Sequence, residues 1–139
     1  MAGKISAKGA AIAVDDSAGS PQTISGDVRS FEIEYAVDPL EVTGFGNGSK
    51  NYTPGLIVTG VTLEIFWNTT ATTGAMTVLK GIVASTTSKT LSITPEASAS
   101  AFSGEFMCDG ITPQASVDGV IELGSVHFSV MGATAPTWS

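Results

Sequence analysis

The strongest constraint in this sequence is a two-residue rhythm of apolar and polar side chains, repeated in segment after segment. A period of two belongs to a β-strand with one face in a core and the other in solvent. The run "FEIEYAV" sets Phe31, Ile33 and Tyr35 on one face and Glu32 and Glu34 on the other. "VTLEIFW" gathers Val61, Leu63, Ile65 and Trp67 against Thr62, Glu64 and Phe66. "KTLSITP" alternates Leu91 and Ile93 with Ser92 and Thr94. "AFSGEFMCD" and "GVIELGSVHFSV" are further strands, with Gly124 marking a bulge or bend in the second. "KISAKGAAIAVDD" reads as a strand near the start. Turn signals separate these runs at "DDSAGSPQ", "SGD", "DP", "NTTATTG" and "DGITPQ".

One segment breaks the rhythm. In "TTGAMTVLKGIVAS", Ala75, Met76, Leu79, Ile82 and Val83 fall at helical spacing, which predicts a helix over residues 73–85. Thr72 or Thr73 can cap its start. The predicted fold is therefore mostly β: an antiparallel β-sandwich or partly open barrel with one flanking α-helix and a long loop over residues 43–56. At 139 residues, with no repeat or linker, residues 1–139 are expected to form a single domain. Few strand residues are lysine or proline, the usual protection of a sheet edge, so pairing with neighbouring subunits is the expected remedy.

The long loop, "VTGFGNGSKNYTPGL", invites a phosphate reading that its spacing does not support. A phosphate loop needs four residues between two glycines, then Lys and Ser or Thr; here Ser49 precedes Lys50 and Asn51 follows it. The dinucleotide fingerprint is met by Gly44 and Gly46 but reaches Ser49 where its third glycine belongs. Both motifs also need a helix next, to supply the anion site, and a strand follows instead. An ordered connection or a protein-contact loop remains.

Charge narrows the function further. Hydrophobic residues make up 42% of the chain but charged ones only 14%, so Gly, Ser, Thr and Ala fill the difference, as suits a subunit of an assembly. Thirteen acids against six basic residues give a net charge of −7. The basic residues Lys4, Lys8, Arg29, Lys50, Lys80 and Lys89 are scattered, which excludes a patch for gripping nucleic acid. The single cysteine, Cys108, cannot form an internal disulfide and suits a small core position. The apolar run "AAIAV" is too short for a signal peptide, and no stretch approaches membrane-spanning length.

Nothing in the pattern points to catalysis, a cofactor or a metal. His127 stands alone between Val126 and Phe128, as a surface or interface residue would. Asp15 and Asp16 lack the spaced ligands of a calcium loop and mark a turn. Glu32 and Glu34 lie about 7 Å apart by strand rise but have no sugar platform beside them, which leaves a solvated acidic face. Asp109 next to Cys108 raises the thiol pKa instead of activating it.

The run "FEIEYAVDPLEVTGFGNGSKNYTPGLIVTGVTLEIFW" resembles the front half of the tail tube (major tail) proteins of long-tailed bacteriophages. In that family a strand ends in a Thr- and Gly-bearing segment; a polar loop with a basic residue and an aromatic follows, then "PGL" and a strand of alternating residues. Residues 42–67 match, with the helix next in order; the motif-like part is residues 43–56. The resemblance implies a β-sandwich with a flanking helix, six copies closing a ring, and rings stacking into a tube that conducts the genome. It implies a virion protein assembled in the host cytoplasm. Its partners would be itself and other tail proteins at the tube ends, with DNA passing unbound and no membrane involved. It also implies that the loop, Gly44, Phe45, Gly46, Asn47, Gly48, Ser49, Lys50, Asn51 and Tyr52, reaches a neighbouring subunit or ring, with Phe45, Lys50 and Tyr52 making the contacts. A DNA conduit must not hold DNA, so its lining should be acidic. Glu32 and Glu34 are the first candidates for that lining, Glu64 and Glu122 the next. The alternatives are a capsid decoration or neck protein of fixed oligomeric size, a secretion-system tube protein, and a monomeric ligand-binding barrel, which the helix and long loop fit poorly.

Overall fold

The computed structural model describes residues 7–96, 100–132 and 134–139. The strands are β1 (Ala11–Asp15), β2 (Pro21–Thr23), β3 (Val28–Glu41), β4 (Tyr52–Phe66), β5 (Lys89–Thr94), β6 (Phe102–Cys108), β7 (Glu122–Val130) and β8 (Thr137–Trp138). One helix, α1 (Ala75–Ile82), stands between β4 and β5. All strands join one antiparallel sheet in the order β2-β1-β5-β6-β7-β4-β3, with β8 paired to β6. The sheet is not closed into a barrel, so the open form of the predicted architecture is the one realised.

The two-residue rhythm builds the core directly. Ile12 and Val14 of β1, Leu91 and Ile93 of β5, Phe102, Phe106 and Cys108 of β6, Leu123, Val126 and Phe128 of β7, and Val61, Leu63 and Ile65 of β4 are all buried. Their neighbours in sequence face the other way. Helix α1 covers this apolar face with Ala75, Val78, Leu79 and Ile82. Val78 joins the predicted stripe, while Met76 and Val83 are only partly buried against it. In β7 the register slips between Glu64 and Phe66 of its partner, and Gly124 takes φ +73°. Only glycine adopts that backbone without strain, so the predicted bulge sits where expected.

Several local expectations are corrected. Helix α1 is shorter than 73–85, and its cap is neither Thr72 nor Thr73. Gly74 is the cap residue, and Asp27 Oδ2, distant in sequence, accepts the Ala75 N–H at 3.2 Å. Asn68 Nδ2 donates to both oxygens of the same carboxylate at 3.0 Å, fixing it under the helix start. The predicted N-terminal strand begins at Ala11, after a 3-10 turn over Ala7–Gly9; Lys4 lies outside the described residues. Trp67 lies beyond the end of β4 and is exposed, because the strand that grouped it with Leu63 stops at Phe66. Asp38 and Pro39 do not turn the chain but lie inside β3, at a register irregularity. The edge strands β3 and β2 each carry one proline, Pro39 and Pro21, so both edges are partly blunted.

Candidate functional site

The loop predicted over residues 43–56 is largely a hairpin. Glu41 pairs with Tyr52, Leu40 with Thr53 and Pro39 with Pro54, so the chain turns only over residues 42–51. Strand β4 meets β7 only from Gly60 to Phe66, whereas β3 runs beside it to Tyr52. The outer half of the β3–β4 pair is therefore a two-stranded arm reaching past the rest of the sheet. The neck of the tip loop is closed by the Val42 N–H on the Asn51 carbonyl and by the Asn51 N–H on Thr43 Oγ1, both 2.9 Å. At the tip, the Asn47 N–H bonds the Gly44 carbonyl, and Gly46 holds φ +90°. That is a turn with Phe45 at its apex, and Phe45 is fully exposed. No helix follows, so the glycines shape a turn and not a phosphate cradle.

The arm is apolar on both faces. Tyr35, Val37, Leu40, Val42, Phe45, Tyr52, Leu56, Ile57 and Val58 are nine of the fifteen large hydrophobic residues left exposed among the described residues. A two-stranded ribbon is marginal in water on its own, and a concentrated apolar patch marks a contact surface. The predicted contact residues Gly44, Phe45, Gly46, Asn47, Gly48, Ser49, Lys50, Asn51 and Tyr52 all lie on this arm, exposed. Sequence reasoning missed the arm's shaft: Tyr35, Val37 and residues 56–58. The signal was present in "LIV", three consecutive apolar residues that no one-faced strand can bury.

The opposite sheet face from the core is polar and acidic. Glu32 lies across from Thr62, and Thr62 from His127; Glu34 lies across from Gly60, and Gly60 from Ser129. Glu32 and Glu34 are exposed there, turned away from Phe31 and Ile33. Glu64 and Glu122 differ from them, because Arg29 holds both, at 2.9 and 3.3 Å. The Ser30 hydroxyl and then the Arg29 guanidinium keep the Glu64 carboxyl below the usual range. At the other end of the sheet, Asp16 closes the turn after β1, taking the Ala18 and Ser20 N–H groups, and the Ser20 bond lowers its pKa.

His127, Asp109 and Ser129 meet on the same polar face. His127 Nδ1 lies 2.6 Å from Asp109 Oδ2, and the Ser129 hydroxyl donates to that same oxygen at 2.8 Å. Asp109 Oδ2 is thus shared by the imidazole and the hydroxyl, while Ser129 Oγ lies 3.5 Å from His127 Nδ1. The Cys108 thiol is pushed up first by burial and then by the charge of Asp109. Among the described residues no cluster of three His, Cys, Asp or Glu is placed to hold a metal. Among them, too, no helix is long and apolar enough to cross a membrane.

No protein-family model matches the chain. A search of curated sequences gave no match. Solved structures do match in fold. A chain in the tail of an empty gene transfer agent particle, determined with C6 symmetry, superposes with a TM-score of 0.77 at 17% identity, covering 98% of this chain and 99% of that one. A chain in the virion of a native gene transfer agent particle gives 0.71 at 14%, covering 92% and 95%. A chain in the sheath/tube terminator structure of an extracellular contractile injection system gives 0.63 at 15%, covering 100% and 99%. The chain thus shares its fold with chains of tail and injection assemblies.

Proposed function

We propose that this chain, acting as one domain over residues 1–139, is the structural subunit of a phage-like tail tube. Six copies close a ring, rings stack, and the genome passes through the channel; no catalysis is involved. The observation that carries this reading is the β3–β4 arm, an apolar ribbon whose large hydrophobic side chains stay exposed among the described residues. The fold shared along nearly the whole chain with a protein in a C6 tail supports the same reading. The particle is a virion, and terminal tail proteins cap the stack. The likeness to a chain of a contractile injection system supports a second reading, in which the same tube belongs to an injection device.

The arm gives the direct test. Replacing residues 45–52 with a short Gly-Ser connection should leave a folded protein that forms no tubes by negative-stain imaging, because loop changes spare the core. Normal tubes from that variant would overturn the contact role.

The acidic sheet face is proposed as the channel lining, with Glu32 and Glu34 free toward the lumen. Glu64 and Glu122 contribute less charge because Arg29 offsets them. Carboxylates repel phosphates and leave water for sliding, whereas lysines would release counterions and trap DNA. Glu32→Lys with Glu34→Lys should still assemble, and its tubes should retain short DNA at low salt where unaltered tubes do not. Equal retention by both would place the pair outside the channel.

A further inference from the structure

Beyond the arm, the molecule carries another hairpin with an exposed apolar tip, over residues 112–123. Gln114 and Glu122 exchange both backbone hydrogen bonds, at 2.8 and 2.9 Å, and the Thr112 N–H bonds the Leu123 carbonyl at 3.0 Å. The Gly119 N–H on the Ser116 carbonyl closes its end in a turn. Val117, at the apex, is fully exposed, and Val120 and Ile121 are exposed behind it. A shallow cleft of about 440 Å³ runs along this hairpin, lined by Gln114, Ala115, Ser116, Gly119, Val120 and Glu122. The Trp67 N–H bonds the Ile121 carbonyl, which places this hairpin at the Phe66 end of β4. The arm tip is at the Tyr52 end. The fifteen residues of β4 separate the two by about 45 Å along the strand.

We propose that this short hairpin is the acceptor for the arm tip of a second copy of the chain. The proposal rests on the tube reading and specifies its stacking contact. Three features support a second copy as the occupant. First, the two apolar tips lie at opposite ends of one strand, so one copy cannot bring its own together. Second, two different complementary patches at opposite ends make a head-to-tail contact, which repeats without closing on itself as a two-fold dimer does. Third, the charges match. Lys50 is the only charged residue in residues 42–51, and Asp118 is the only one in residues 110–121. Among the described residues the ion pairs are Arg29–Glu64, Arg29–Glu122 and His127–Asp109, so neither Lys50 nor Asp118 is in one. Docking sets the Lys50 ammonium against the Asp118 carboxylate. Phe45 then comes down on Val117 and Val120, with the cleft open beside them. An exposed pair of this kind adds little affinity by itself, but a like-charge pair in its place is costly, so the pair sets register.

Charge exchange tests this on the full chain. Lys50→Glu alone and Asp118→Lys alone should each raise the critical concentration for tube growth by about tenfold or more. Combining them should restore growth toward that of the unaltered protein. Circular dichroism checks that each variant is folded. Normal growth of both single variants, or a combined variant no better than the worse single one, overturns the acceptor assignment. A second measurement does not depend on charge. Ser49→Cys with Ser116→Cys, treated with a bis-maleimide after assembly, should give a ladder of linked copies; the native Cys108 is buried and stays silent. An absent ladder in well-formed tubes also overturns the assignment. If tubes form and the arm replacement abolishes them while charge exchange does nothing, the acceptor falls and the tube reading stands. Failure of the unaltered chain to assemble under any condition sinks both.

Discussion

Residues 60–66 and residues 52–59 belong to the same strand, β4, and share the same partner, β3, yet they lie in different surroundings. In the first stretch β7 pairs on the other side and α1 closes the core, so Val61, Leu63 and Ile65 are fully or nearly fully buried. In the second there is no β7, and Leu56 is 85% exposed with Ile57 and Val58 also open to solvent. The residue types hardly differ. What differs is the number of neighbours the topology supplies. The inner half holds the fold together, and the outer half stays exposed, the half that the proposed function gives to a neighbouring copy. Side chains of equal hydrophobicity thus do two jobs within one strand.

Three substitutions sharpen or break that contrast. Leu63→Ala removes a fully buried side chain and should destabilise the protein by about 2–5 kcal/mol in urea unfolding, the usual cost of a buried Leu cavity. A much smaller loss would mean that the inner half is not the core of the domain. Asp27→Ala should cost about 1 kcal/mol, the scale of a lost helix cap, because the Ala75 N–H and the Asn68 amide both lose their acceptor. A melting temperature unchanged from the unaltered chain would show that α1 is held by packing alone. Leu56→Ala should change stability by less than about 0.5 kcal/mol, as exposed substitutions do. It should nevertheless weaken tube growth measured by light scattering. A stability loss comparable to that of Leu63→Ala would show that the arm is part of the fold and not a free contact surface.

The alternation in the sequence determined the strands, the faces they bury and most of the core, because side-chain direction in a strand is local geometry. The runs around Leu63 and Leu91 could be assigned a buried face without coordinates, and those around Phe106 and Phe128 could be read as strands. The helix was legible from its 3.6-residue stripe, and the Gly124 bulge from a glycine inside a strand pattern. Charge balance and the lone cysteine were likewise readable, since composition needs no fold. Tertiary structure alone decided the rest. That Asp27 caps a helix 48 residues further on follows from where the 3-10 turn Ser25–Asp27 lands, and no local rule reaches that far. That Arg29 holds both Glu64 and Glu122 follows from β3 lying next to β4, and β4 next to β7. That residues 52–58 form an arm instead of a loop follows from β3 pairing with them out to Tyr52, while β7 ends its pairing at Gly60. Burial is a property of how many strands lie alongside a residue, and a chain's own alphabet does not record where its neighbours stop.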